Sequence, residues 1–276
     1  MNKIKSTKKK IIFLIVTLFF IATSIILYFE RETFTIIHRS TYKCEDQNTL
    51  KGFLQAREKY YDVANKIYEI DIQLTKDLII ILKHDLNYII DNENISIRDE
   101  SYEFLKKKFK NLTKLEEILR ESANDVFILD IRLDPKYTKK NKEIRNYSEK
   151  ELNVFLNKIN ELTIKYQTNK YYIYITPMLV GDKMLSKLRE YELIISERFS
   201  RDILKNKNIS NYKLFKNVIK KYNTNMISLS SSQLSEIDFN TIKRLDLKIL
   251  SDKKKYNILE NIKIKYFFKE CFNIDQ

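Results

Sequence analysis

Glycine and proline occur only twice each in 276 residues, as Gly52, Gly181, Pro135 and Pro177. Left-handed backbone falls mainly to glycine because it lacks a Cβ, and proline punctuates turns. The scarcity therefore excludes collagen-like chains, glycine-looped nucleotide cradles and turn-rich all-β designs. Helices are expected to dominate. Hydrophobic residues at 43% and aromatics at 12% suffice for a core and exclude a largely disordered chain.

The second constraint is residues 11–29, IIFLIVTLFFIATSIILYF, an uncharged apolar run of nineteen residues. As a helix it would measure about 28 Å, close to a bilayer core. Five lysines precede it and Glu30, Arg31 and Glu32 follow, so the positive-inside rule places residues 1–10 in the cytoplasm. The expectation is a retained signal-anchor rather than a cleaved leader, because no small-x-small site closes the run. It holds no Asp, Glu or Lys, which argues against a proton-driven stator. The chain carries 51 basic against 37 acidic side chains, a net +14. With the domain expected outside the cytoplasm, the runs Lys106–Lys108 and Lys253–Lys255 read as solvated surface, and no nucleic-acid partner is expected.

Residues 48–91 show apolar positions at three- and four-residue spacing, from Leu50, Phe53 and Leu54 to Leu78, Ile81 and Leu82. This predicts a long helix or helical hairpin, and residues 30–124 read as a helical stalk. Ile95–Ile97 is a short strand candidate, and a second amphipathic helix is expected over 101–120. From 125 the pattern changes. DVFILDIRL reads as a buried strand, 148–167 as a helix and YYIYI at 171–175 as a strand. Helices over 183–205 and 211–222 follow, and then a strand at 244–250. The expected fold class is thus α/β (α+β), with a transmembrane helix, a helical stalk and a small mixed sheet in β-α-β-α-β order over 125–252. Residues 253–276 form a C-terminal extension.

The stretch from VFILDIRL through YYIYI, the segment LIISERFSRDILKNKNIS at 193–210 and the closing KRLDLKI resemble the OmpA-like and MotB-like peptidoglycan-binding domain. That resemblance implies a non-enzymatic, wall-gripping protein anchored in the bacterial inner membrane with a periplasmic domain. It also implies that Arg198 and Asp182 grip the charged ends of a diaminopimelate side chain. Thr176-Pro177-Met178-Leu179 stands where the family carries its Gly-His-Thr-Asp loop, leaving Asp182 as a displaced acid. A second register makes Asp134 the loop acid.

Two further readings stay open. One is a subunit of a larger membrane complex, self-associating or joined to other envelope proteins through the long helix. The other is a membrane-anchored envelope hydrolase or transferase using Asp130 and Asp134, which share a strand face. Cys44 and Cys271 are either a disulfide tying the ends of the outer domain together or two buried thiols. His38 and His84 lie far apart in sequence, without zinc-ligand spacing, so no metal and no cofactor is expected. The absence of a Gly-x-Ser-x-Gly elbow argues against serine chemistry.

Overall fold

Short strands rich in isoleucine, tyrosine and phenylalanine line up in parallel and close on themselves. The computed structural model describes residues 13–24, 34–132, 148–175, 188, 191–195, 211–230, 241, 244–251 and 264–269. The parallel strands are β1 (Phe34–Ile37), β2 (Lys66–Leu74), β6 (Val126–Ile131), β7 (Lys170–Ile175), β8 (Glu192–Ile195), β9 (Met226–Ser228), β10 (Lys248–Ser251) and β11 (Ile264–Lys269). Each is hydrogen-bonded to the next, and β11 pairs with β1 through Phe34↔Tyr266 to Ile37↔Lys269, which closes a barrel. Closure removes both sheet edges and buries both strand faces, which is why β6 and β7 read as nearly continuous apolar runs and β2 is buried along almost its whole length.

Side-chain alternation sorts these residues into two layers. Ile36, Ile67, Ile128, Tyr172, Ile194, Met226 and Leu250 form one buried cluster, with one residue from each of seven barrel strands, and plug the interior. Their neighbours Ile37, Tyr68, Ile70, Phe127, Leu129 and Ile173 point outward beneath the helices. Helix α1 (Leu50–Lys59) starts at Thr49, whose hydroxyl accepts from Gly52 N, and drives Phe53 edge-on against Tyr68 with ring centroids 5.0 Å apart. A Cβ on Gly52 would stand 2.2 Å from the Asp46 carbonyl oxygen, so the close approach of helix and preceding turn requires glycine there. Helix α4 (Glu149–Lys165) begins with a capping box between Ser148 and Glu151 and buries Leu152, Phe155, Leu156 and Ile159 against the barrel. Helix α5 (Asn211–Tyr222) adds Phe215 and Val218.

Between β2 and β6 lies an elaborated excursion. β3 (Ile80–Leu82) turns back antiparallel onto β2, and β4 (Asn87–Ile90) pairs with β5 (Glu93–Ser96). Helices α2 (Tyr102–Lys108) and α3 (Leu115–Glu121) complete the segment.

Four expectations are corrected. The first is the mixed β-α-β-α-β sheet over 125–252, because the barrel begins at Phe34 and its strands are parallel throughout. The second is the stalk, since helix occupies only Leu50–Lys59 of 48–91 and the remainder supplies β2, β3 and β4. Glu69, Asp71 and Gln73 alternate with Ile70, Ile72 and Leu74 at period two, and the flanking helical spacing masked that alternation. The third is the expected helix over 183–205, which contains strand β8. The fourth is the 11–29 anchor. Its described part is helical over 13–24, about 18 Å, and among the described residues no helix is long and apolar enough to cross a membrane.

The described turns are made without glycine, for a physical reason. Ten described non-glycine residues take positive φ, seven of them Asn or Asp, including the Asp91-Asn92 turn between β4 and β5. Their short polar side chains tolerate the left-handed region and supply the turns that glycine scarcity had excluded.

Candidate active site

The C-terminal ends of β1, β2 and β6 bring together acids that the strand alternation aims inward. On β2, Ile67, Glu69 and Asp71 share the inner face, and on β6 so do Ile128 and Asp130. The apolar plug takes the lower residues and leaves the upper carboxylates at the mouth. Ladder register sets Asp71 directly beside Asp130. Ligand oxygens of Glu69, Asp71 and Asp130 all lie within 4.8 Å of one another, and all three residues are buried.

The loop after β1 folds over this cluster. Arg39 and Ser40 both have positive φ (53° and 48°), which is strained for side chains of their kind, and Asn48 has φ 54°. The strain is held by hydrogen bonds to the acids. Arg39 N donates to Glu69 Oε2 at 2.7 Å, and Ser40 Oγ donates to the Glu69 carbonyl at 2.9 Å. Asn48 clasps Asp71 twice: Nδ2 donates to Oδ2 at 2.7 Å, and Oδ1 accepts from Asp71 N at 3.0 Å. His38 Nε2 stands 3.8 Å from Glu69 Oε2.

From the other side comes the turn after β3. Gln73 Nε2 donates to the carbonyls of Lys83 and Asp85, both at 2.8 Å, and so fixes the turn carrying His84. His84 Nδ1 lies 2.7 Å from Asp85 Oδ1. Because an ionised carboxylate can only accept, this contact puts the ring proton on Nδ1 and leaves the Nε2 lone pair available. Burial lowers the His84 pKa, so the ring is neutral near pH 7.

Two guanidinium groups answer the acids. Arg132, just past β6, places Nη1 2.8 Å from Asp130 Oδ2 and Nε 3.6 Å from Asp71 Oδ1, and Nε donates to the His84 carbonyl at 3.1 Å. Arg39 Nε lies 3.5 Å from Asp71 Oδ2, and its Nη1 donates to Gln47 Oε1. Burial, reinforced by the Asp71 and Asp130 charges, raises the Glu69 pKa well above the usual carboxylate range. Burial, with the Asp71 charge adding to it against Arg132, lifts Asp130 to about 6. Burial opposes the charge on Arg132, yet the Asp130 and Asp71 carboxylates hold its pKa above the ordinary value.

Three buried oxygen donors with this surplus of negative charge fit a hard divalent cation such as magnesium, calcium or manganese. Glu69, Asp71 and Asp130 would hold it. Both histidines of the chain stand at this one cluster. Active sites of closed parallel barrels lie at this end of the strands.

Of the residues singled out from sequence, Asp130 belongs to the cluster. Asp134, Asp182, Arg198 and Cys271 lie outside the described residues. Cys44 begins the 3-10 turn before α1 and is disulfide-bonded. Sequence reasoning missed His38, Arg39, Asn48, Glu69, Asp71, His84 and Arg132. The available signal was the pair Glu-Ile-Asp-Ile and Leu-Asp-Ile-Arg, two apolar strands that each carry acids on one face.

No family model and no curated protein matches the sequence. Solved structures do match. A glycerophosphodiester phosphodiesterase from Parabacteroides distasonis ATCC 8503 shares 13% identity over 87% of this chain and 93% of its own, with a TM-score of 0.57. One from Thermotoga maritima shares 14% over 86% and 93%, with a TM-score of 0.56. An Oleispira antarctica phosphodiesterase in complex with the product sn-glycerol-3-phosphate shares 14% over 85% and 92%, with a TM-score of 0.58.

Similarity at this identity establishes the fold, and it overturns the OmpA-like and MotB-like resemblance. A closed parallel barrel lacks the mixed sheet of that family, and Thr176-Pro177-Met178-Leu179, where its loop was expected, lie outside the described residues. The expectations of a non-enzymatic envelope protein, of peptidoglycan as partner and of an inner-membrane location with a periplasmic domain rested on that resemblance and on the anchor, and they fall with them. The complex assembled through a long 48–91 helix falls because that helix does not form.

Proposed function

We propose that this chain is a metal-dependent phosphodiesterase acting on glycerophosphodiester-type substrates. The observation that carries the reading is the convergence of both histidines on three buried carboxylates at the C-terminal mouth of a parallel barrel. Support for the substrate class comes from the shared fold, since the matching structures are described as glycerophosphodiester phosphodiesterases.

Glu69, Asp71 and Asp130 would hold a divalent cation, which would supply Lewis-acid polarisation of a phosphoryl oxygen. Arg39 and Arg132 offer guanidinium forks to the phosphate anion. His84 Nε2, with its partner nitrogen fixed by Asp85, takes the proton from the attacking water as its oxygen bonds to phosphorus. His38, placed beside Glu69, returns a proton to the leaving alkoxide as its bond to phosphorus breaks. An alcohol and a phosphomonoester result.

The test is release of sn-glycerol 3-phosphate from glycerophosphoethanolamine by the full chain, with magnesium, calcium or manganese and with a chelator. Metal-dependent release that disappears in His84→Ala is the expected result. A folded chain that cleaves neither this substrate nor an activated bis-aryl phosphodiester with any of the three ions would overturn the proposal.

A further inference from the structure

The two arginines at the mouth are not equivalent. Arg39 divides its guanidinium between Asp71 and Gln47, and its backbone N–H is committed to Glu69. The guanidinium of Arg132 instead spans two of the three carboxylates that would hold the cation, Asp130 at 2.8 Å and Asp71 at 3.6 Å. Both groups are largely withdrawn from solvent, so their charges interact with little screening. Arg132 occupies, in effect, the electrostatic place of an ion.

Charge balance then distinguishes the possible states. Three carboxylates against two guanidiniums leave one net negative charge when His84 is neutral. A divalent cation alone turns that into a net positive charge, and a phosphodiester monoanion alone deepens the negative one. Counting these five side chains with their carboxylates ionised, a divalent cation and a phosphodiester monoanion together balance the charge, and neither does so alone. A cation held by Asp130 and Asp71 would take the carboxylate partners of Arg132 and leave its Nε on the His84 carbonyl, so that the two Nη groups would be free to meet phosphate oxygens bidentately.

Resting on the phosphodiesterase reading, we propose that Arg132 is the residue that couples the two ligands: it competes with the divalent cation for Asp71 and Asp130 and, once displaced, binds the phosphate, so that metal and substrate bind cooperatively. Linkage makes the coupling reciprocal, since the anion must tighten the metal by the factor by which the metal tightens the anion.

The experiment measures manganese binding to the full chain by the loss of the free-ion electron paramagnetic resonance signal, with and without saturating sn-glycerol 3-phosphate. It compares the wild type with Arg132→Met and Arg132→Lys. In the wild type the anion is expected to tighten manganese by about 10-fold or more, within the usual range of coupling. Arg132→Met is expected to bind manganese more tightly than wild type without the anion, and to keep less than about 2-fold coupling. Arg132→Lys preserves the charge and guards against a Met variant that fails to fold; it is expected to keep about 5-fold coupling or more. Undiminished coupling in Arg132→Met, weaker manganese binding by that variant without the anion, or loss of coupling in Arg132→Lys as complete as in Arg132→Met would each overturn the proposal.

Failure of this idea separates from failure of the reading beneath it. Metal-dependent hydrolysis with unchanged coupling in Arg132→Met would sink only the role of Arg132. Arg132-dependent coupling in a chain without hydrolysis would sink only the phosphodiesterase assignment. No manganese binding by wild type or either variant would overturn both.

Discussion

Asp71 of β2 and Asp130 of β6 are register partners on adjacent parallel strands, and one guanidinium, that of Arg132, reaches both. Two inward carboxylates held side by side in a buried mouth repel each other, and no other arrangement is open to them while the strands keep this pairing. Their proximity is the source of the predictions on charge that follow.

Asp130→Asn is expected to abolish metal-induced stabilisation and metal-dependent hydrolysis while raising the melting temperature of the metal-free chain at pH 7.5. Asn keeps an acceptor for Arg132 and removes a charge whose pKa is lifted from 3.8 to about 6, which corresponds to about 1–3 kcal/mol. Thermal melts with and without magnesium decide it. A metal-free variant less stable than wild type would contradict the like-charge account.

The pH dependence of stability follows from the same group. Below pH 3.8 Asp130 is protonated in the folded and unfolded chain alike and contributes nothing. Between 3.8 and about 6 the unfolded chain releases the proton and the folded one retains it, so stability falls as pH rises, and the full loss persists above that window. Glu69, raised in the same direction, acts in the same sense. A bound cation requires the ionised carboxylates and relieves the penalty. Magnesium or manganese is therefore expected to raise the melting temperature much more at pH 7.5 than at pH 5, and equal shifts at both values would count against the site.

His84→Ala and His38→Ala are each expected to lower kcat by roughly 10²–10⁴-fold with little change in stability. Asp85→Asn should act through His84, because an amide at the Asp85 position no longer dictates which ring nitrogen carries the proton. Its signature is a displaced acid limb of the pH–rate profile with KM nearly unchanged. A profile superimposable on wild type would show that the Asp85 contact does not orient the base.

Removing the cap contact of α4 tests the excursion between β2 and β6 separately from the chemistry. Arg98 Nη2 lies 2.9 Å from Glu151 Oε1. Against the pull of partial burial, hydrogen bonds from Ser148 and Arg98 hold the Glu151 pKa down to about 2. A depressed carboxyl contributes stability above its unfolded value of 4.5, and that contribution is lost as pH falls toward 2. Glu151→Gln is expected to lose about 1 kcal/mol at pH 7, a modest value because the group is largely solvated. The difference should vanish near pH 2, as urea titrations at the two pH values would reveal.

Cys44 is disulfide-bonded and Cys271 is the other cysteine of the chain. Non-reducing peptide mapping is expected to recover a Cys44–Cys271 linked pair. A bridge closing so long a loop contributes about 2–5 kcal/mol, so reduction should lower the melting temperature measurably. Recovery of Cys44 as a free thiol would contradict the pairing.

By itself the chain determined its local elements wherever one period prevailed. DVFILDIRL forms β6, the Ser148 to Glu151 cap opens α4, and YYIYI lies within β7, because apolar alternation and capping chemistry act within a few residues. It also made Glu69, Asp71 and Asp130 inward-facing once their segments were strands, since alternation needs no distant partner. Only the tertiary structure decided that KIYEIDIQL is strand rather than helix face, because its ladder partners β1 and β6 are remote in sequence and its two faces are buried by the barrel interior and by the helix layer. Barrel closure likewise decided the site. His38, His84, Glu69, Asp71 and Asp130 are scattered over nearly a hundred positions, and no spacing rule links them. They meet because parallel strands in register end at the same rim, where the apolar plug stops and buried acids need cations to balance them.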